Sequence, residues 1–297
     1  MGFFKARPIS KLAVVPPKPD AARVGVAIAI IVKNEARYIE EWARFHALAG
    51  VRHFYVYDNG STDETCALLR GCLPEDALTI LPWAQSLRDG RTGAELHNQV
   101  LAFAHALANY GGAYRWMAFV DVDEFIVPRE HDSLDAALAE LEAAAHVSLP
   151  WQMFGRSGHE GPPEGGIVAN YLMRMRDVQS ARHALNWKCI VDPCRVTGVR
   201  VHGMEIDGRA EGVNDRGQPA AHKARGRADF YSNQRLQLNH YYTRSNADLQ
   251  TKLAACLIAS VELQQHARRV QRIVDEIEAD EVEDRAALEF LARVQGT

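Results

Sequence analysis

Residues 116–125 read WMAFVDVDEF. An apolar run ends in three carboxylates within four positions, Asp121, Asp123 and Glu124. The run has the length and composition of a buried strand. In an extended segment, residues two apart face the same side, so Asp121 and Asp123 are expected to point together at the strand's end. Paired carboxylates raise one another's pKa unless a cation sits between them. Oxygen ligands suit Mg²⁺ or Mn²⁺, and both ions share their shell with phosphates and water. A solvated acidic turn is the plainer account of an isolated DxD. Its place after a buried strand favours the cation.

Working outward, apolar stretches alternate with helical periodicities. Residues 24–32 (VGVAIAIIV) read as a buried strand, 35–49 as a helix with Tyr38, Ile39, Trp42, Phe45 and Leu48 on one face, and 51–57 as a second strand. A helix is expected over 62–73, a strand over 78–81, a helix over 93–110 and a strand over 115–120. The pattern predicts an α/β fold with a Rossmann-like mixed sheet, largely parallel, flanked by helices and followed by C-terminal helices. Ligands of such sheets bind beyond the carboxyl ends of the strands. Three polar clusters fall there: Lys33-Asn34-Glu35, Asp58-Asn59-Gly60-Ser61 and Asp121-Val122-Asp123. Within DNGSTD (58–63), Ser61 or Thr62 reads as a helix cap and Asp63 as a partner for the helix's positive end. Asp58 is left over, placed to accept from the N3–H of a uracil base. Lys33, Asn34 and Glu35 read either as a helix start or as base or diphosphate contacts.

Beyond a helix at 133–144 the pattern becomes strand-rich (147–203). Residues 205–229 read as a long loop with local positive charge (Arg209, Arg216, Lys223, Arg225, Arg227), solvated or folded over a diphosphate. An extended segment at 236–242 precedes two helices, 246–267 and 270–294. Ser245 and Asp248 form a capping box for the first. Trp151, Phe154 and Trp187 are candidates for an acceptor platform, although strand aromatics are more often core. The organisation expected is a flexible lead-in over 1–22, one domain over 23–245 (nucleotide-binding half 23–130, acceptor-side half 131–245) and a C-terminal helical segment over 246–297.

The 297 residues are 47% hydrophobic and 24% charged, ordinary for a globular enzyme. The net charge of −4 gives no basic field for nucleic acid. The five cysteines (Cys66, Cys72, Cys189, Cys194, Cys256) form no CxxC pair, which fits a reducing, cytoplasmic compartment. No apolar stretch approaches the ~20 residues that span a bilayer.

The series IVKNEARYIEEW (31–42), FYVYDNGSTDET (54–65), WMAFVDVDEF, PWQMFGRSGH (150–159), KCIVDP (188–193) and LNHYYTRS (238–245) resembles the bacterial GT-A glycosyltransferases of the family 2 and family 92 type. The resemblance implies a GT-A fold, a nucleotide-sugar donor (usually UDP-linked), a divalent metal, a carbohydrate or other hydroxyl acceptor and inversion at the anomeric carbon. Carried over by position, Asp58 resembles the residue that reads the base, Asp121 the first DxD residue near ribose and metal, and Asp123 the metal-ligating one. His240 resembles a late histidine that contacts metal or diphosphate, with His202 (in VRVHGM) as its competitor. The acidic pair that supplies a base in family 2 has no clear counterpart. The loop 155–166 offers Glu160, with His159 and Glu164 beside it, and Asp177 follows; a solvated loop carboxylate is the plainer account of Glu160. A metal-dependent phosphohydrolase and a non-catalytic nucleotide- or glycan-binding module are the competing readings. The first strand ends in Lys33-Asn34-Glu35, without the nucleophilic aspartate a phosphohydrolase places there.

Overall fold

The computed structural model describes residues 8–181, 184–257 and 261–296, without the side chains of 255–257, 261–264 and 266. Ten strands form one mixed sheet. They are β1 (Val26–Val32), β2 (Val51–Asp58), β3 (Leu78–Pro82), β4 (Trp116–Phe119), β5 (Glu124–Pro128), β6 (His146–Met153), β7 (Trp187–Val191), β8 (Glu211–Val213), β9 (Pro219–Ala221) and β10 (Leu236–His240). The main path runs β9-β8-β6-β7-β4-β1-β2-β3, and β10 pairs with both β5 and β6. The expected mixed α/β sheet flanked by helices is thus observed.

β1 lies between β2 and β4 and pairs with both in parallel. Buried on both faces, it is apolar throughout rather than alternating. Val32 pairs with Asp58 and Ala29 with Phe119, so the polar residues after β1, β2 and β4 share one edge. β7 then runs antiparallel to both β4 and β6. β10 is antiparallel to β5, with His240 opposite Glu124, and parallel to β6, with His240 opposite Met153.

Helix α1 (Ile39–Leu48) buries Ile39, Trp42, Phe45 and His46 against one face of the sheet. Phe45 packs edge-on to Phe125 and against Phe290 of the C-terminal helix. The opposite face is covered by α3 (Asn98–Tyr110), with Phe103 against Phe119. Between these helices α2 spans Thr65–Cys72, and later in the chain α4 spans Leu134–Ala139, α5 Gly166–Asn170, α6 Asn246–Leu257, α7 Val261–Ala279 and α8 Ala286–Gln295.

Several sequence expectations are corrected. Residues 205–229 are not a structureless loop, because β8 and β9 form a hairpin that extends the sheet from β6. Strands of three residues each leave no hydrophobic period to read. Among its described residues the C-terminal segment holds three helical spans, the last set apart because Glu281–Glu283 pairs with Met173–Met175 and ends α7. The lead-in is partly docked: Leu12–Ala13 adds an edge strand to Val196–Arg200, which pairs in turn with Gly203–Ile206. Ser61 and Thr62 cap no helix. The N-cap position is Glu64, without a side-chain cap, and Asp63 Oδ1 accepts from Thr65 N at 3.1 Å just before the helix. The capping box is observed: Ser245 Oγ accepts from Asp248 N, and Asp248 Oδ2 from Ser245 N, each at 3.2 Å. Cys66, Cys72, Cys189 and Cys194 are free thiols, and the side chain of Cys256 lies outside the described set.

His46 is buried inside this frame. Its Nδ1 lies 2.9 Å from Trp42 O, and its Nε2 accepts from Ile126 N at 3.1 Å. These partners require the neutral Nδ1–H tautomer. Burial pushes the imidazole down to about 4. A lowered histidine pKa means the unfolded chain binds the proton first, so stability is full above ~6.5 and falls as pH drops toward 4. Urea unfolding between pH 7.5 and 4.5 should show that loss, with His46 supplying up to roughly 3 kcal/mol of it. His46→Gln should be less stable at pH 7.5 and have a shallower pH slope. An unchanged slope would show that His46 is protonated in the fold.

Candidate active site

Three loops meet at the carboxyl edge of β1, β2 and β4. The first two are interlocked. Asn34 adopts φ +56°, which lets its side chain turn back to the second loop. Its Oδ1 accepts from Thr62 N at 2.8 Å, and its N–H donates to Ser61 Oγ at 3.1 Å. Glu35 N donates to Thr65 Oγ1 at 2.8 Å, and Ala36 N to Asp63 Oδ2 at 3.0 Å. Asp58 Oδ1 accepts from Ser61 N at 2.9 Å, which holds its carboxylate at the end of β2. Lys33 is exposed at the rim.

The third loop departs from its expected form. Residues 122–123 make a turn rather than an extended strand end, so Asp121 and Asp123 do not point together. They line different cavities. Asp121 Oδ1 accepts from Gln99 Nε2 at 2.6 Å, and Oδ2 from Lys188 Nζ at 2.8 Å. Lys188 is 0% exposed, and its ammonium also lies 3.7 Å from Glu124 Oε2. Glu124 is equally buried. Its Oε2 accepts from Asp121 N at 2.8 Å, and its Oε1 from Trp151 Nε1 at 2.7 Å. The cation lodged against these two carboxylates is therefore a side chain of the protein. Burial pushes Glu124 up, and Lys188 opposes that shift. Burial alone would lower Lys188, but Asp121 and Glu124 outweigh it and raise the ammonium's pKa.

Asp123 faces a cavity of about 450 Å³ that Glu35, Arg244, Asp248 and Lys252 also line. Its Oδ2 lies 3.4 Å from His240 Nε2, and its carbonyl accepts from Tyr241 N at 2.8 Å. The register of β10 on β5 produces this meeting. Burial would raise the Asp123 carboxyl, yet His240, Arg244 and Lys252 hold it well below the usual carboxylate range. Arg244 Nη1 lies 3.3 Å from Glu35 Oε2, while its buried Nε has no partner. Burial raises Glu35 and lowers Lys252.

The expected set of Asp121, Asp123 and His240 is thus divided. Asp123 and His240 come together, and Asp121 turns to Gln99 and Lys188. Among the described residues no cluster of three or more His, Cys, Asp or Glu is spaced to hold a metal. His202 lies in the second cavity, 3.2 Å from Trp187 O through Nδ1. Trp151 stands between the histidines, its ring centroid 4.2 Å from His240 and 5.5 Å from His202. Glu160 is exposed, accepts from Asn246 Nδ2 at 2.9 Å and lines a separate cavity with Arg156 and Glu278. Phe154 and Trp187 are buried and Trp151 is committed to Glu124, so the aromatic platform is core. Sequence reasoning missed Lys188, Gln99, Arg244 and Lys252. Only Lys188 carried a clear signal, as a lone cation inside an apolar strand.

These features define an α/β protein with a charged, divided cleft at the carboxyl ends of its parallel strands. Residues 22–250 match the sequence model of glycosyltransferase family 92, and the chain belongs to that family. It is 26% identical over 157 residues to a family 92 protein of Ricinus communis, a match covering 50% of this chain and 26% of that one. It is 29% identical over 115 residues to a galactan beta-1,4-galactosyltransferase of Arabidopsis thaliana, covering 37% of this chain and 21% of that protein. The chain therefore spans about a quarter of the length of these relatives, which are plant proteins. Among solved structures it is similar to S. aureus TarS 1–349 in complex with UDP, with a TM-score of 0.32 and 17% identity over 57% of this chain and 46% of that one.

The buried corner has a direct test. Lys188→Met leaves Glu124 buried without its cation, which should cost about 3–5 kcal/mol in chemical denaturation. Adding Glu124→Gln should restore part of that loss. A Lys188→Met protein as stable as the original would show that the ammonium does not hold the corner.

Proposed function

We propose that the protein is a GT-A glycosyltransferase that moves a sugar from a nucleotide-sugar, in the first instance a UDP-sugar, to a hydroxyl acceptor with inversion. The observation that carries the reading is the Asp123 carboxylate, paired with His240 Nε2 at 3.4 Å and facing the cavity lined by Arg244 and Lys252. Asp123 Oδ2 and His240 Nε2, 3.4 Å apart, are the groups that would hold a Mn²⁺ or Mg²⁺, ions that share their shell with phosphate and water. A divalent cation bound there supplies positive charge to a departing diphosphate. Arg244 and Lys252 supply more from the cavity wall. Asp58, with one oxygen held by Ser61 N, offers the other to the base. Lys33, Asn34 and Glu35 border the nucleoside, and Asp121 positions ribose or sugar while bound to Lys188. Among the described residues no helix is long and apolar enough to cross a membrane.

A panel of nucleotide-sugars with Mn²⁺, scored for transfer and donor hydrolysis, tests the reading. Asp123→Asn should abolish transfer and the metal-dependent part of UDP binding while the fold survives. His240→Ala should raise the Mn²⁺ needed for half-activity by roughly 10- to 100-fold, the equivalent of one lost charge-assisted contact of ~1.5–3 kcal/mol. His202→Ala should have a smaller effect. Near-normal turnover of Asp123→Asn with Mn²⁺ would remove the metal site from this pair.

The base pocket is tested separately. Asp58→Ala should weaken UDP binding by ~1–3 kcal/mol, the cost of an unpaired N3–H, while leaving Mn²⁺ affinity unchanged. Calorimetry with UDP and with a purine diphosphate decides it. Equal losses for the two would place Asp58 away from the base.

A further inference from the structure

The second cavity encloses about 750 Å³ on the Asp121 side of Trp151, and Arg200, His202, His222, Lys223 and Arg225 line much of it. Arg225 is its unusual member. It is only 9% exposed. Its Nη2 donates to His202 O at 3.1 Å, its Nε reaches His222 O at 3.4 Å, and its guanidinium lies 5.3 Å from the Trp187 ring centroid. Nη1 is buried and has no hydrogen-bond partner. Burial pushes the guanidinium down to about 10, and no carboxylate opposes the shift. The acidic groups in the cavity are already engaged. Asp121 is held by Lys188, and Glu205 by Lys11 at 2.6 Å and Arg200 at 3.9 Å.

Holding two carbonyls explains Nε and Nη2. It does not explain a permanent charge in a buried place, where a neutral donor would serve at lower cost. A buried cation without an anion is half of an ion pair, and the cavity leaves room for the other half. Lys223, exposed at the same cavity, adds a second charge of the same sign.

We propose that this cavity binds an acceptor carrying an anionic group, phosphate or carboxylate, with the Arg225 side chain as the buried contact and Lys223 near the mouth. The word acceptor rests on the glycosyltransferase reading; the anion site itself does not. A planar guanidinium suits two oxygens of either group. Asp121 lines this cavity and stands two residues from Asp123, which lines the other, so an acceptor seated here lies beside the sugar of the proposed donor.

The test is calorimetric titration of the full chain with glucose 6-phosphate, glucuronate and glucose, with and without saturating UDP and Mn²⁺. One charged sugar should bind and glucose should not; which one binds distinguishes phosphate from carboxylate. Arg225→Met should weaken that binding at least about 10-fold, and Lys223→Ala by a smaller factor. UDP affinity should stay within about twofold in both variants. Equal binding of all three sugars, no binding of any, or anion binding indifferent to both substitutions would overturn the proposal. So would a parallel loss of UDP affinity, which would give the cavity to the donor's diphosphate. If Arg225→Met does not fold by circular dichroism, Lys223→Ala and Arg200→Ala decide by the same criteria. Failure of UDP to bind the unaltered protein would sink the glycosyltransferase reading alone, and the titrations without UDP would still score the anion site.

Discussion

The fully buried ammonium of Lys188 holds the corner on which the rest of the cleft depends. It lies in the middle of the sheet, on β7, and reaches Asp121 and Glu124 across the neighbouring β4 edge. Two carboxylates three residues apart would repel one another in a medium that screens poorly. With the ammonium in place, Glu124 can be buried and use both oxygens, one for Asp121 N and one for Trp151. The backbone is thereby folded into the turn at 122–123. That turn sends Asp121 to one side and Asp123 to the other.

A second constraint is the position of β10. It enters between β5 and β6, far from its neighbours in sequence, and places His240 opposite Glu124. Asp123 then meets an imidazole on one side and Arg244 and Lys252 on another, and all three favour its ionised form. The same insertion puts Trp151 of β6 against His240 on one flank and His202 on the other. One indole thus separates the two histidines. Its single N–H is anchored on Glu124, which ties it to the Lys188 corner.

The two cavities differ in how their charges are balanced. Around Asp123, acidic and basic side chains alternate: Glu35 faces Arg244, and Asp248 is held by Tyr38 and Ser245. A cation and a diphosphate entering together would preserve that balance. On the Asp121 side the acids are already paired, and Arg225 is left over. The excess there is positive, so a metal ion would be repelled and an anion attracted.

The sequence by itself determined the strands that lie deepest and the edge where ligands meet. Residues 24–32 are apolar at nearly every position because both faces of β1 are buried, and a polar cluster follows each of β1, β2 and β4. The positions of Asp58 and Asp123 at that edge were legible on that basis, whereas His240 was singled out by its resemblance to a family motif. The capping box at Ser245 was legible because its chemistry is local. What lies between distant elements was not. The cation expected among the carboxylates was a metal, whereas the fold supplies Lys188 from 64 or more residues later in the chain, since β7 happens to run antiparallel beside β4. The separation of Asp121 from Asp123 depends on a turn that a strand-like spacing conceals. The hairpin of β8 and β9 and the burial of Arg225 depend on edge pairing by segments too short to carry a period. Local patterns report how a segment meets solvent, and only the tertiary structure decides which charges meet each other, because that depends on strand order and register.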